Sequence, residues 1–65
     1  MDMLTWPDQL PLGTMVRKRK GSNWHGRIVG YYSTDFTPRG YCIESEWESG
    51  SVQIYPDTAI ELWSN

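Results

Sequence analysis

The chain has 65 residues, a formal net charge of −2 and one cysteine. One short domain with a marginal core is all that this length allows, the lone Cys42 excludes an internal disulfide, and His25 and Cys42 offer no metal-ligand spacing. The acidic balance argues against general nucleic-acid or membrane binding, no apolar run reaches the ~18 residues of a spanning helix, and Asp2, Pro7 and Asp8 interrupt any export signal, so the expected compartment is cytoplasmic.

Residues 1–12 hold two prolines and no clear period. They are read as a poorly ordered N-terminal tail, from which Trp6 or Leu10 could dock on a body spanning 13–65. Met15 to Lys18 is a first strand. In the basic run Arg17 to Lys20, alternation puts Lys18 and Lys20 on one face and Arg17 and Arg19 on the other. The run is a solvated edge protected by lysines, or an anion site with Lys18 as a point charge. Gly21, Ser22 and Asn23 make a turn into a long second strand, Trp24 to Ser33. Gly26 and Gly30 suit strong curvature or a close backbone approach there. His25 lacks a catalytic partner in any motif and reads as an exposed strand histidine.

Thr34 to Gly40 has loop chemistry. Tyr41 to Ser45 alternates as a third strand, with Cys42 a packed or half-exposed thiol. Glu44, Glu46 and Glu48 fall at period two, the mark of a wet face. Trp47 sits in the turn Trp47-Glu48-Ser49-Gly50. It either packs back onto its own domain or serves as a subunit contact. Ser51 to Tyr55 is the fourth strand: Ser51, Gln53 and Tyr55 share one face, Val52 and Ile54 the other. An amide in mid-strand must face water or have a task. Pro56, Asp57 and Thr58 suit one helical turn, and Ala59 to Trp63 a last short strand. Short strands and tight glycine turns predict an all-β, five-stranded SH3-like barrel. A barrel this small is filled by its own side chains, so any enzymatic site is expected between subunits.

The residues resemble those of the type II dihydrofolate reductases, the small plasmid-type enzymes of trimethoprim resistance. The likeness runs from about Val16 to about Leu62. It is carried by Val16-Arg17-Lys18, by Trp24-x-Gly26-x-Ile28-Val29-Gly30-x-Tyr32, by Thr37-Pro38-x-Gly40-Tyr41, by Glu44-Ser45-Glu46, and by the run from Gly50 to Pro56. The resemblance implies a homotetramer of SH3-like barrels around one central pore, binding NADPH and dihydrofolate from opposite ends. Gln53, Ile54, Tyr55 and Lys18 would be the catalytic set. Lys18, Val52, Gln53, Ile54 and Tyr55 would hold the cofactor, and Lys18, Ser51, Gln53 and Ile54 the substrate. The resemblance implies hydride transfer by placement alone, with the proton taken from solvent. Relatives commonly carry a histidine in the turn before Gly50, tied to assembly and its pH sensitivity. Trp47-Glu48-Ser49 replaces it here, which predicts an assembly less sensitive to acid. The alternative is a non-enzymatic barrel module that binds peptide or nucleic acid.

Overall fold

The computed structural model describes residues 5–21 and 23–64. Short segments that each carry a β-branched residue, joined by aromatics in β2, β3 and β4, form β1 (Met15–Lys18), β2 (His25–Tyr32), β3 (Gly40–Ser45), β4 (Val52–Pro56) and β5 (Ile60–Leu62). One 3-10 turn, Asp57–Ala59, follows Pro56, whose ring presets the backbone for it. All pairings are antiparallel, in the order β4-β3-β2-β1-β5. The architecture is therefore the expected all-β, five-stranded one, but the ladder is open. β4 and β5 are its two edges and do not pair among the described residues, so barrel closure by hydrogen bonding is absent.

The concave face collects the core: Val16, Ile28, Tyr41, Ile43 and Ile60. Each buried aliphatic side chain stabilises by about 1.5–3 kcal/mol. Alternation is broken once, in β2, where the register with β3 shifts between Ile28 and Gly30. Val29 is the extra, bulged residue and is exposed. The bulge lets both Ile28 and Tyr31 face inward, three positions apart. Gly26 is a close approach of the kind its position suggested: a Cβ there would lie 2.1 Å from the Glu44 carbonyl oxygen.

The N-terminal segment closes one side of the core. Trp6 meets Tyr41 and Tyr31 edge-on, with centroids 5.5 and 5.8 Å apart. The Leu10 N–H donates to the Tyr41 hydroxyl at 3.0 Å, and the Tyr31 hydroxyl donates to the Leu10 carbonyl at 2.7 Å. Trp6 and Leu10 thus both dock on the sheet. The first part of the expected poorly ordered tail, residues 1–4, lies outside the described residues. Desolvation, and secondarily the Tyr41 hydroxyl, raise the Tyr31 pKa above the ordinary phenol value.

Candidate functional site

β4 is one residue displaced from the sequence reading, but its alternation is as expected. Gln53 opposes Ile43 and Tyr55 opposes Tyr41, so both side chains project on the concave side of the sheet. Val52 and Ile54 oppose Glu44 and Cys42 on the convex side, where both are exposed. Gln53 itself is exposed, at the open margin of the sheet.

Three of the expected site residues form one chain of contacts. The Tyr55 hydroxyl donates to Gln53 Oε1 at 2.5 Å. The Lys18 ammonium lies 5.5 Å above the Tyr55 ring, a cation–π distance. Trp24 backs the same ring at 5.7 Å. Lys18 reaches this face because it shares the parity of buried Val16 on β1. Arg17 and Arg19, on the other parity, hold Glu61 at 2.6 and 3.5 Å instead. The basic run therefore divides into a structural pair and a cation available to the concave face.

The backbone of β4 carries the second element of the site. The Ser45 N–H donates to the Ser51 carbonyl at 2.9 Å, which fixes that opposed pair as hydrogen-bonded. Opposed pairs alternate in an antiparallel ladder. Gln53 and Tyr55 therefore spend their peptide groups on β3. Those of Val52 and Ile54 point away from the sheet, at an edge with no strand beyond it. The site thus combines an exposed amide, a phenol, a cation and a free donor–acceptor edge. Ser51, half-buried, anchors the start of β4 to the preceding turn: its N–H donates to the Glu48 carbonyl at 3.1 Å.

Beside Lys18 and Tyr55 lies a cavity of about 210 Å³, also lined by Thr58 and Ala59. This is below the roughly 300 Å³ that a drug-sized ligand needs. This cavity alone does not enclose a dinucleotide. No cluster of three metal-ligating side chains occurs among the described residues.

Two sequence readings need correction. His25 is not an exposed strand residue: only 12% of its side chain is accessible, and it stacks on Trp63 and pairs with Glu46. Nor is Glu44 simply part of a wet face. It binds Arg27 Nη2 at 2.9 Å and accepts the Gly50 N–H at 2.7 Å, so it ties β2 to the turn before β4. Neither contact is visible in local spacing, because each joins residues from different elements. Trp47 packs back onto its own domain in part: its ring meets His25 edge-on at 4.8 Å, and it stays 65% exposed.

The profile of a family described as R67 dihydrofolate reductase matches residues 4–63. Two curated proteins of Escherichia coli, both named dihydrofolate reductase type 2, are 56% identical to the chain over 50 residues. The match spans 77% of this chain and 64% of each relative, less than two thirds of their length.

Proposed function

The chain belongs to the R67 dihydrofolate reductase family, and from that premise we propose that it reduces dihydrofolate to tetrahydrofolate with NADPH. The observation that carries the reading is the outward-facing peptide edge at Ile54, set beside Gln53, Tyr55 and Lys18. The donor set fits the cofactor. A carboxamide presents one acceptor and one donor group, and the Ile54 C=O and N–H offer the complementary pair. A phosphate needs a cation, and Lys18 is one whose partner is an aromatic face rather than a carboxylate.

NADPH, when bound, supplies the hydride. The residues of the chain do the placing. The Ile54 backbone holds flat amide-bearing rings against β4, and the Gln53 side chain packs and hydrogen-bonds beside them. Tyr55 fixes the Gln53 amide through its hydroxyl, and the outward peptide group of Val52 and the half-buried Ser51 shape the adjoining wall. Lys18 draws anionic ligands in and holds a phosphate or a glutamate carboxylate. The strand Val52–Pro56 carries no carboxylate, imidazole or amine. The chain therefore works by proximity and orientation, and the substrate takes its proton from solvent.

The small cavity and the open edge both favour a shared site. In this reading, four copies, each an SH3-like barrel, surround one pore and each contributes β4 in a cytoplasmic homotetramer. Exposed Val52, Ile54 and Trp47 are the apolar surface available for contacts between copies. A pore built from repeated Gln53 and Ile54 edges differs from a single-chain pocket, which accounts for insensitivity to trimethoprim.

The test is NADPH oxidation followed by absorbance, with and without dihydrofolate and with trimethoprim in excess. Turnover that requires dihydrofolate and persists with the drug is expected, together with a tetramer in sedimentation. A fully active monomer would overturn the shared pore. No turnover and no NADPH-dependent change in tryptophan emission would favour the binding-module alternative.

A further inference from the structure

His25 is held from four directions. Its ring stacks on Trp63 with centroids 4.1 Å apart and planes 5° from parallel. Trp47 meets the ring edge-on, with centroids 4.8 Å apart. Nε2 lies 2.5 Å from Glu46 Oε1, and Nδ1 lies 3.2 Å from the Asn23 carbonyl oxygen. A backbone carbonyl can only accept a hydrogen bond, and so can an ionised carboxylate. A neutral ring has one N–H and satisfies one of them. The doubly protonated ring satisfies both.

The turn that His25 grips leads straight to β4. The Glu46 N–H donates to the His25 carbonyl at 3.3 Å, and the Trp47 N–H donates to Ser45 Oγ at 3.1 Å. At the far end, Gly50 is held by Glu44, and Ser51 by Ser45 and Glu48. Gln53 follows two residues on.

We propose that His25 is a protonation-dependent latch: as imidazolium it fixes the Glu46–Gly50 turn through Glu46 and Trp47, and thereby positions the ligand-binding edge of β4. It is a positioning residue and touches no ligand. Its effect on NADPH rests on the function proposed above; the latch itself does not.

The charged groups around the ring set the balance. From the turn, Glu46 favours the imidazolium. From β1, Arg17 is the register partner of His25 and opposes it, but Glu61 of β5 neutralises Arg17 and lies near Arg19. Lys18, Arg19 and Lys20 share with His25 a cavity of about 300 Å³ and also oppose the charge. The latch is closed with the proton on His25 and opens as pH rises and the proton leaves.

The test uses the full chain, with the tryptophan indole and His25 ring signals followed by NMR from pH 5 to 9, and with NADPH affinity measured over the same range. In the wild-type protein the Trp47 and Trp63 indoles should shift in step with His25. In Glu46→Gln the transition should be displaced towards acid, and in His25→Gln the indoles should not respond. Glu46 is exposed, so its variant keeps the test valid if His25→Gln does not fold. NADPH affinity should fall several-fold through the wild-type transition and stay flat in His25→Gln. Indoles indifferent to His25 titration would overturn the latch. Indoles that respond while NADPH affinity stays constant would overturn the coupling to β4. Responsive indoles with no NADPH binding at any pH would overturn the function and leave the latch standing.

Discussion

A tyrosine hydroxyl spent on an exposed glutamine adds little to folding, since a net hydrogen bond of this kind contributes about 1 kcal/mol at most in reach of water. Its value lies in aiming the amide. Tyr55→Phe should therefore unfold at nearly the wild-type temperature but bind NADPH about tenfold more weakly, the equivalent of ~1.4 kcal/mol. Calorimetry beside a binding titration separates the two. Gln53→His should change affinity for both ligands together if, as proposed, one surface serves both; a change in one alone would disprove the common site. Burial supplies a prediction at the alkaline end. Desolvation raises Tyr31, with Tyr41 adding to it, and desolvation raises Tyr32, with Cys42 adding to it. The folded state then keeps these protons at a pH where the unfolded chain releases them, above about 10. Stability should hold up to that pH and fall as it rises through the folded values, with absorbance at 295 nm reporting two late-ionising phenols.

At the scale of strands and turns, glycines separate two kinds of constraint. Gly26 has no room: its Cβ would meet a backbone carbonyl that cannot rotate away. Gly50 has open space around it but a φ of 87°. Gly50→Ala should cost about 1 kcal/mol, the penalty of a left-handed backbone, whereas Gly26→Ala should cost about 3 kcal/mol or more. For a domain of this length, whose total stability is on the order of 3–10 kcal/mol, the second change removes much of the fold. Denaturant midpoints of the two variants test that ordering. The strands were legible because alternation and turn residues are local, and so was the division of β4 into Gln53 and Tyr55 against Val52 and Ile54. The β2 bulge was not: a single extra residue at Val29 shows itself only against the partner strand. Likewise Lys18 and Tyr55 stand 37 positions apart in the chain and meet only through the sheet. The role of Gln53 came from resemblance; its position on the concave face came from register.

For the molecule as a whole, the question is what completes it. The turn before Gly50 carries Trp47, Glu48 and Ser49, and its nearest imidazole is already engaged with Glu46 of the same chain. A proposed tetramer should therefore resist acid between about pH 7 and 5, where imidazoles gain charge. Sedimentation across that range checks this, and splitting into dimers near pH 6 would refute it. Lys18, repeated around a shared pore, should make NADPH binding salt-sensitive, and Lys18→Met should weaken binding and flatten the salt dependence. The outward peptide groups of β4 have one more consequence. Peptide groups left unpaired at this edge, which the proposed function gives to a flat ligand, are also those that a stray strand from another molecule would take. Recognition and self-association compete for one row of donors and acceptors. The physiological ligand then acts as a guard against fibre formation, and concentrated protein stored without it should aggregate first through Val52–Pro56.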